Sequence, residues 1–256
     1  MIIGLTALII YLFGGGQEMF FLNPEIKKNV RTYVADKKRK EEINAIIKQT
    51  ETAQKNFLKK KKKYYAEKSS ELNLNYSSRR EDFEKLFDEY FDERKKLQST
   101  YIDNEMKIRS LIKEDEWTKI VGQVLVEPDN KKSLNTYMKT SEKLFGGILN
   151  TCEKTMADAG ALKEAQRLVK EQKAEVDHFV DEFVNLNYKK LEPLRNLNAT
   201  RSDFESAATE TNELRRKILS HLIDLRFKLA GLTSAQEWKK LGKALDKLFT
   251  KGKNVV

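Results

Sequence analysis

The sequence predicts an all-α fold: two tandem copies of a four-helix repeat, built as long antiparallel helical hairpins, behind an N-terminal hydrophobic helix. Three observations predict it. The composition favours helix, with 34% charged and 39% hydrophobic residues and only three prolines and 11 glycines in 256 positions. Lys, Glu, Leu and Ala are strong helix formers, and Pro and Gly are not. Apolar residues recur at the 3.6-residue period over long stretches. The chain also matches itself at a spacing of 121 to 122 residues, the mark of a structural repeat.

The N-terminal element comes first. Met1 to Phe13 carries no charged side chain and is nearly all apolar. Its 13 residues would span about 20 Å as a helix, against roughly 30 Å of bilayer hydrocarbon. A short membrane anchor or uncleaved signal anchor is therefore expected over residues 1–18. Met19 to Leu22 would lie at the interface, where aromatic residues collect, so that residues 1–22 meet the membrane. Lys27, Lys28, Arg31 and Lys37-Lys38-Arg39-Lys40 follow the segment. The positive-inside rule then puts the body on the cytoplasmic side of a bacterial inner membrane, with a periplasmic body as the alternative.

The duplication fixes the next boundaries. Arg80, Asp82, Phe83 and Glu84 match Arg201, Asp203, Phe204 and Glu205, each 121 residues on. Arg94 matches Arg215, Asp103 matches Asp224, and Glu116-Trp117 matches Glu237-Trp238. In all, 15 of the 40 positions from 80 to 119 are identical. Upstream the spacing is 122, pairing Ala35-Asp36 with Ala157-Asp158 and Phe57 with Phe179. Repeat 1 is thus expected over 19–126, a joint around Pro128 over 127–140, repeat 2 over 141–248 and a basic tail over 249–256.

Four helices are expected in each repeat. In the first, Asn23 caps a helix that opens on Pro24 and runs to about Asp36. A second runs from about 39 to 72 and a third from about 78 to 111. The third has a periodic stripe of Phe83, Phe87, Tyr90, Leu97, Tyr101, Ile108 and Leu111. A fourth begins near Lys113 and carries Trp117. In the second repeat the fourth helix opens on Thr233-Ser234-Ala235-Gln236, a capping box. Phe83, Trp117, Phe204 and Trp238 are the expected repeat anchors, since large aromatics fix short helices to long ones. Arg94 and Arg215 fall on the apolar stripe and are candidate inward arginines. Such a residue either snorkels or needs carboxylates or helix-end carbonyls.

Chemistry offers little. No catalytic residue, cofactor or metal ligand set is expected. Glu175 and His178 have the Glu-x-x-His spacing of di-iron bundles, but those need a second such pair. Ala53 and Asn56 stand at the matching positions. Gly146-Gly147 lacks the Lys-Ser/Thr of a phosphate loop, and Cys152 replaces Val30 as a small core residue. Charge is more telling. The net charge is +10, and residues 24–68 carry 15 basic side chains against six acidic ones. The run Lys59, Lys60, Lys61, Lys62 and Lys63 is the candidate site for an anionic surface, lipid before nucleic acid. The matching stretch 181–185, Asp-Glu-Phe-Val-Asn, is acidic and apolar, so the fold does not require the lysines.

Leu232-Thr233-Ser234-Ala235-Gln236 resembles the Leu-Thr-x-x-Gln motif of Spy-like periplasmic chaperones. That resemblance implies a small helical cradle with a basic concave face. It covers five residues, and the first repeat departs from it, with Ile112 and Asp115 in place of Thr and Gln. The leading expectation is a membrane-anchored, non-enzymatic scaffold or adaptor acting by protein–protein interaction. A Spy-like chaperone and a direct binder of anionic lipid or nucleic acid are the alternatives.

Overall fold

Helix starts in this chain are written in short polar side chains. Asn23 Oδ1 accepts from the Glu25 N–H at 2.8 Å, and Asp36 Oδ1 accepts from the Arg39 N–H at 2.7 Å. Asp158 accepts from the Ala161 N–H, and Thr200 and Asp203 close a capping box. Each satisfies a donor that the first helical turn leaves unpaired.

The computed structural model describes residues 20–57, 59, 63–122, 130–189 and 191–250. Among them are a 3-10 turn, Phe20–Leu22, and ten α-helices and no strand. The helices are α1 (Pro24–Tyr33), α2 (Lys37–Asn56), α3 (Lys63–Leu74), α4 (Arg80–Ser110), α5 (Glu114–Val121), α6 (Asn130–Thr155), α7 (Ala159–Lys189), α8 (Leu191–Arg195), α9 (Arg201–Gly231) and α10 (Ala235–Thr250).

The two 31-residue helices α4 and α9 form the spine. They run antiparallel, because residue numbers fall along α9 as they rise along α4. Arg80 bonds Asp224, Asp88 bonds Arg216 at 2.6 Å, Gln98 bonds Asn212 at 2.6 Å, and Asp103 bonds Arg201. Around this spine α2 and α3 pack on α4, α7 packs on α9, α1 packs on α5, and α6 packs on both α7 and α10. Helix α10 also packs on α3, far away in sequence. One apolar core gathers Phe83, Tyr90, Ile148, Cys152, Val169, Leu222, Leu229, Trp238 and Leu245, and a second gathers Phe21, Ile26, Val30, Ile43, Ile108, Trp117 and Ile120.

Several expectations change. The second helix is two, α2 and α3, with π-helical geometry at Phe57 and Lys59 between them. A π turn is wider than an α turn and holds an extra residue. Most of the expected joint is helical, since α6 begins at Asn130 and takes in residues 130–140 of it. Phe21 does not reach an interface. It is buried against Trp117 with ring centroids 6.1 Å apart, while residues 1–19 lie outside the described residues. The capping box of α10 is one residue later than expected. Ser234 and Glu237 form it, through the Ser234 N–H to Glu237 Oε2 at 2.7 Å, while the Thr233 hydroxyl donates back to the Leu229 carbonyl at 3.0 Å. No helix among the described residues is long and apolar enough to cross a membrane, and the expected anchor, residues 1–18, lies outside them.

Candidate functional site

Three places hold polar or charged groups in unusual settings, and each is built by helix register. The first is the middle of the spine. Arg94 and Arg215 are both buried rather than snorkelling from the edge of the stripe. Each donates to Asn212 Oδ1, from Arg94 Nε at 3.2 Å and Arg215 Nη1 at 3.3 Å. The Asn212 amide in turn donates to Gln98 Oε1 at 2.6 Å. Above them α4 and α9 leave a groove of about 510 Å³ lined by Lys95, Gln98, Ser99, Glu205, Asn212 and Arg216, among others. The Ser99 hydroxyl accepts from Arg201 at 3.2 Å, and neither histidine lines the groove.

The second place is the pair of tryptophans. The Trp117 indole N–H donates to the Arg195 carbonyl at 2.8 Å, and that of Trp238 to the Asn73 carbonyl at 3.1 Å. Both acceptors lie in the last turn of a short helix, α8 and α3. Over each indole lies a buried arginine: Arg109 at 4.4 Å from the Trp117 ring and Arg226 at 5.0 Å from the Trp238 ring. Arg109 also stacks on Phe204, and Arg226 on Phe83. Both cations reach helix-end carbonyls, Arg109 those of Leu194 and Asn196, Arg226 that of Asn75 at 2.6 Å. The four expected anchors thus come together crosswise, Trp117 with Phe204 and Trp238 with Phe83. Sequence reasoning missed Arg109 and Arg226, because they are not 121 residues apart. Arg226 matches Glu105, one turn before Arg109.

Their electrostatics differ. Arg109 Nε donates to buried Glu105 at 2.7 Å, and burial still pushes the Glu105 carboxyl above the usual range against the pull of Arg109. Among the described residues Arg226 meets no such carboxylate, and burial pulls its guanidinium down to about 10. Its Nε has no hydrogen-bond partner among the described residues. Glu116 is the opposite case. The Arg39 guanidinium grips it in two hydrogen bonds of 2.7 and 2.8 Å. With the N–H groups of Lys113 and Ala35, that holds its carboxyl down at about 2. Glu237 occupies the same place on α10 and accepts from the Ala157 N–H at 3.1 Å.

The third place is the junction of α2 and α3. Lys59 and Lys63 are exposed there, and Tyr64 beside them is 46% exposed. Lys60, Lys61 and Lys62 lie outside the described residues. Phe57 and Tyr65 turn inward onto Tyr90, with centroids 6.2 and 5.3 Å away. Burial, with Glu93 and Glu89 nearby, pushes the Tyr65 phenol up to about 12. The junction is therefore pinned from inside and cationic outside.

Among the described residues no group of three or more His, Cys, Asp or Glu side chains is placed to hold a metal ion. Glu175 and His178 are exposed, and His221 sits edge-on to Phe179 at 5.2 Å. Cys152 is buried, and burial pushes its thiol up to about 11. Comparison of the chain with protein-family models, with curated proteins and with solved structures finds no match.

Proposed function

We propose that this chain is a non-enzymatic helical scaffold or adaptor, anchored to a membrane and working by binding other proteins. The observation that carries the reading is the junction of α2 and α3. Exposed Lys59, Lys63 and Tyr64 sit at a pinned π turn, in the half of the chain that follows the hydrophobic residues 1–13. Lysine with an adjoining exposed tyrosine suits a headgroup region, where each basic residue near an anionic surface is worth about 1 kcal/mol. By the positive-inside rule the body faces the cytoplasm of a bacterial cell. Residues 232–236, which resemble the chaperone motif, have a local use in starting α10.

The scaffold is best understood as two tandem copies of one four-helix repeat, joined near Pro128. Helix ends support it: α4 and α9, and α5 and α10, start 121 residues apart, and α2 and α7 start 122 apart. The π turn at Phe57 and Lys59 gives the first copy a place for the residue by which the two spacings differ. Reciprocal contacts support it further. Arg80 pairs with Asp224 and Arg201 with Asp103, so two matched residues meet their partners' matches. That is the pattern of a symmetric pair of units fused in one chain.

The test replaces Lys59 to Lys63 with glutamine in the full chain. Binding to vesicles with anionic lipid should fall steeply and depend on salt, while thermal stability stays within a degree or two. A variant that unfolds, or that binds as the parent does, overturns the surface assignment. A full-length protein found in the soluble fraction after cell breakage overturns the anchor.

A further inference from the structure

The C-terminal helix α10 carries a second cationic face, and the packing of α10 on α3 brings it toward the first. The exposed positions of α10 beyond its first turn are Lys239, Lys240, Lys243 and Lys247, with no acidic residue among them. Lys239, Lys243 and Lys247 are four residues apart and form one stripe. None of the four is in an ion pair with another described residue. Asp246, the one carboxylate on this part of the helix, is half-buried and accepts from the Ser70 hydroxyl at 3.0 Å.

Register carries the C-terminal end of this face toward the α2–α3 junction. Ser70 meets Asp246, and Asn73 Nδ2 meets the Gly242 carbonyl at 3.1 Å. The two helices are therefore antiparallel, and the last turns of α10 lie at the end of α3 where Lys63 begins it. The stripe therefore runs along α3, from Lys239 near Asn73, whose carbonyl accepts from the adjacent Trp238 indole, to Lys247 toward the Lys63 end. The short helix α5 stands where α10 would by the 121-residue spacing. At that spacing Lys240 matches Lys119, but Lys239, Lys243 and Lys247 match Thr118, Gly122 and Val126, so the first copy lacks the stripe and the repeat does not require it.

We propose that the exposed face of α10 is a docking surface for an anionic lipid bilayer, acting with Lys63 and Lys59. The inference rests on the membrane reading above and extends it to a second element. Flexible, singly charged lysines in a stripe suit a fluid layer of headgroups better than a fixed bidentate ligand, for which arginine is the better fit. A bilayer also lies within reach of a chain held to it by its N-terminal segment.

The experiment uses the full chain and co-sedimentation with vesicles, either phosphatidylcholine alone or with 30% phosphatidylglycerol. The variant is K239Q/K240Q/K243Q/K247Q. Binding to neutral vesicles reads the N-terminal anchor, and the anionic-to-neutral ratio reads the lysine face. The ratio should fall by roughly fivefold for each lysine within reach of the surface, at least tenfold in all. Addition of 0.5 M salt should reduce the parent to the variant's level. The arginine version at the same four positions should keep the ratio. Loss of neutral binding would sink the anchor and leave the face standing. An unchanged ratio, or equal loss in the arginine version, overturns the proposal. So does tighter binding of the parent to a DNA oligonucleotide than to anionic vesicles at the same salt.

Discussion

Arg109 and Arg226 do the same work over the two tryptophans, yet their removal should have very different consequences. Consider Arg226→Met. Burial pulls this guanidinium from 12.5 to about 10, so the folded state disfavours its charge by at most about 3 kcal/mol. Methionine relieves that. It gives up a charge-assisted bond to the Asn75 carbonyl, worth about 1.5–3 kcal/mol, and stacking on Phe227 and Trp238, worth about 0.5–2 kcal/mol. The two sides nearly cancel, and stability should change by something between a gain of about 1 kcal/mol and a loss of about 2 kcal/mol. Arg109→Met is another matter, because it strands Glu105, a buried carboxylate whose bonded partner is Arg109. Breaking such a pair costs about 3–5 kcal/mol, or about 8–15 °C in melting temperature for a chain of this size. The loss should also depend on pH. Glu105 has a raised folded-state pKa, so the folded state binds the proton more tightly, and stability falls as pH rises above the unfolded value near 4.5. The Arg109→Met deficit should therefore be largest at pH 7 and shrink toward pH 4.5. Glu105→Leu added to Arg109→Met should recover most of it. Urea unfolding followed by circular dichroism at 222 nm measures all three variants. A cost above 3 kcal/mol for Arg226→Met, or below 1 kcal/mol for Arg109→Met, would refute this account of the two sites.

Two further predictions concern stability. Glu116 is held at about 2 by Arg39 and two backbone N–H groups, so its contribution is complete above about pH 4.5 and is lost as pH falls toward 2, at most roughly 3 kcal/mol. Glu116→Gln should flatten the acid limb of the stability profile there, and an unchanged limb would show that other carboxylates govern it. Glycine substitutions should have opposite signs. A Cβ at Gly242 would lie 2.9 Å from Trp238 Nε1, so Gly242→Ala should cost about 1–3 kcal/mol. A Cβ at Gly146 in α6 meets nothing within 4 Å, so Gly146→Ala should gain up to about 1 kcal/mol from helix propensity; thermal melts of the pair decide it.

What could be read from the sequence, and what could not, divides along a physical line. Local signals were legible because they act within one turn or one helix. Asn23, Asp36 and Thr200 cap where short polar side chains should, and the Phe83 to Leu111 stripe faces the core because 3.6-residue spacing leaves it no other choice. The same spacing put Arg94 and Arg215 on the stripe but left open whether they snorkel or turn inward, since a long stem allows both. The π turn at Phe57 was not legible, because Lys is a good helix former and a run of five gives no signal of a change in helix type. Only the change of spacing from 122 to 121 pointed to an added residue, and it located the change no better than the interval between Phe57 and Arg80. The arginines over the tryptophans escaped for a different reason. What each site requires is a cation reaching a helix-end carbonyl from the long helix, and two positions one turn apart satisfy it equally. The chain uses residue 109 in one place and the match of residue 105 in the other, so position-by-position comparison registers two differences where the geometry has one solution. The crosswise pairing of Trp117 with Phe204 was equally hidden. Within one repeat Phe83 and Trp117 sit on neighbouring helices, and nothing in either copy says that its aromatic completes the other's cluster. Only the antiparallel crossing of α4 and α9 does that, by carrying the start of each long helix to the far end of its partner.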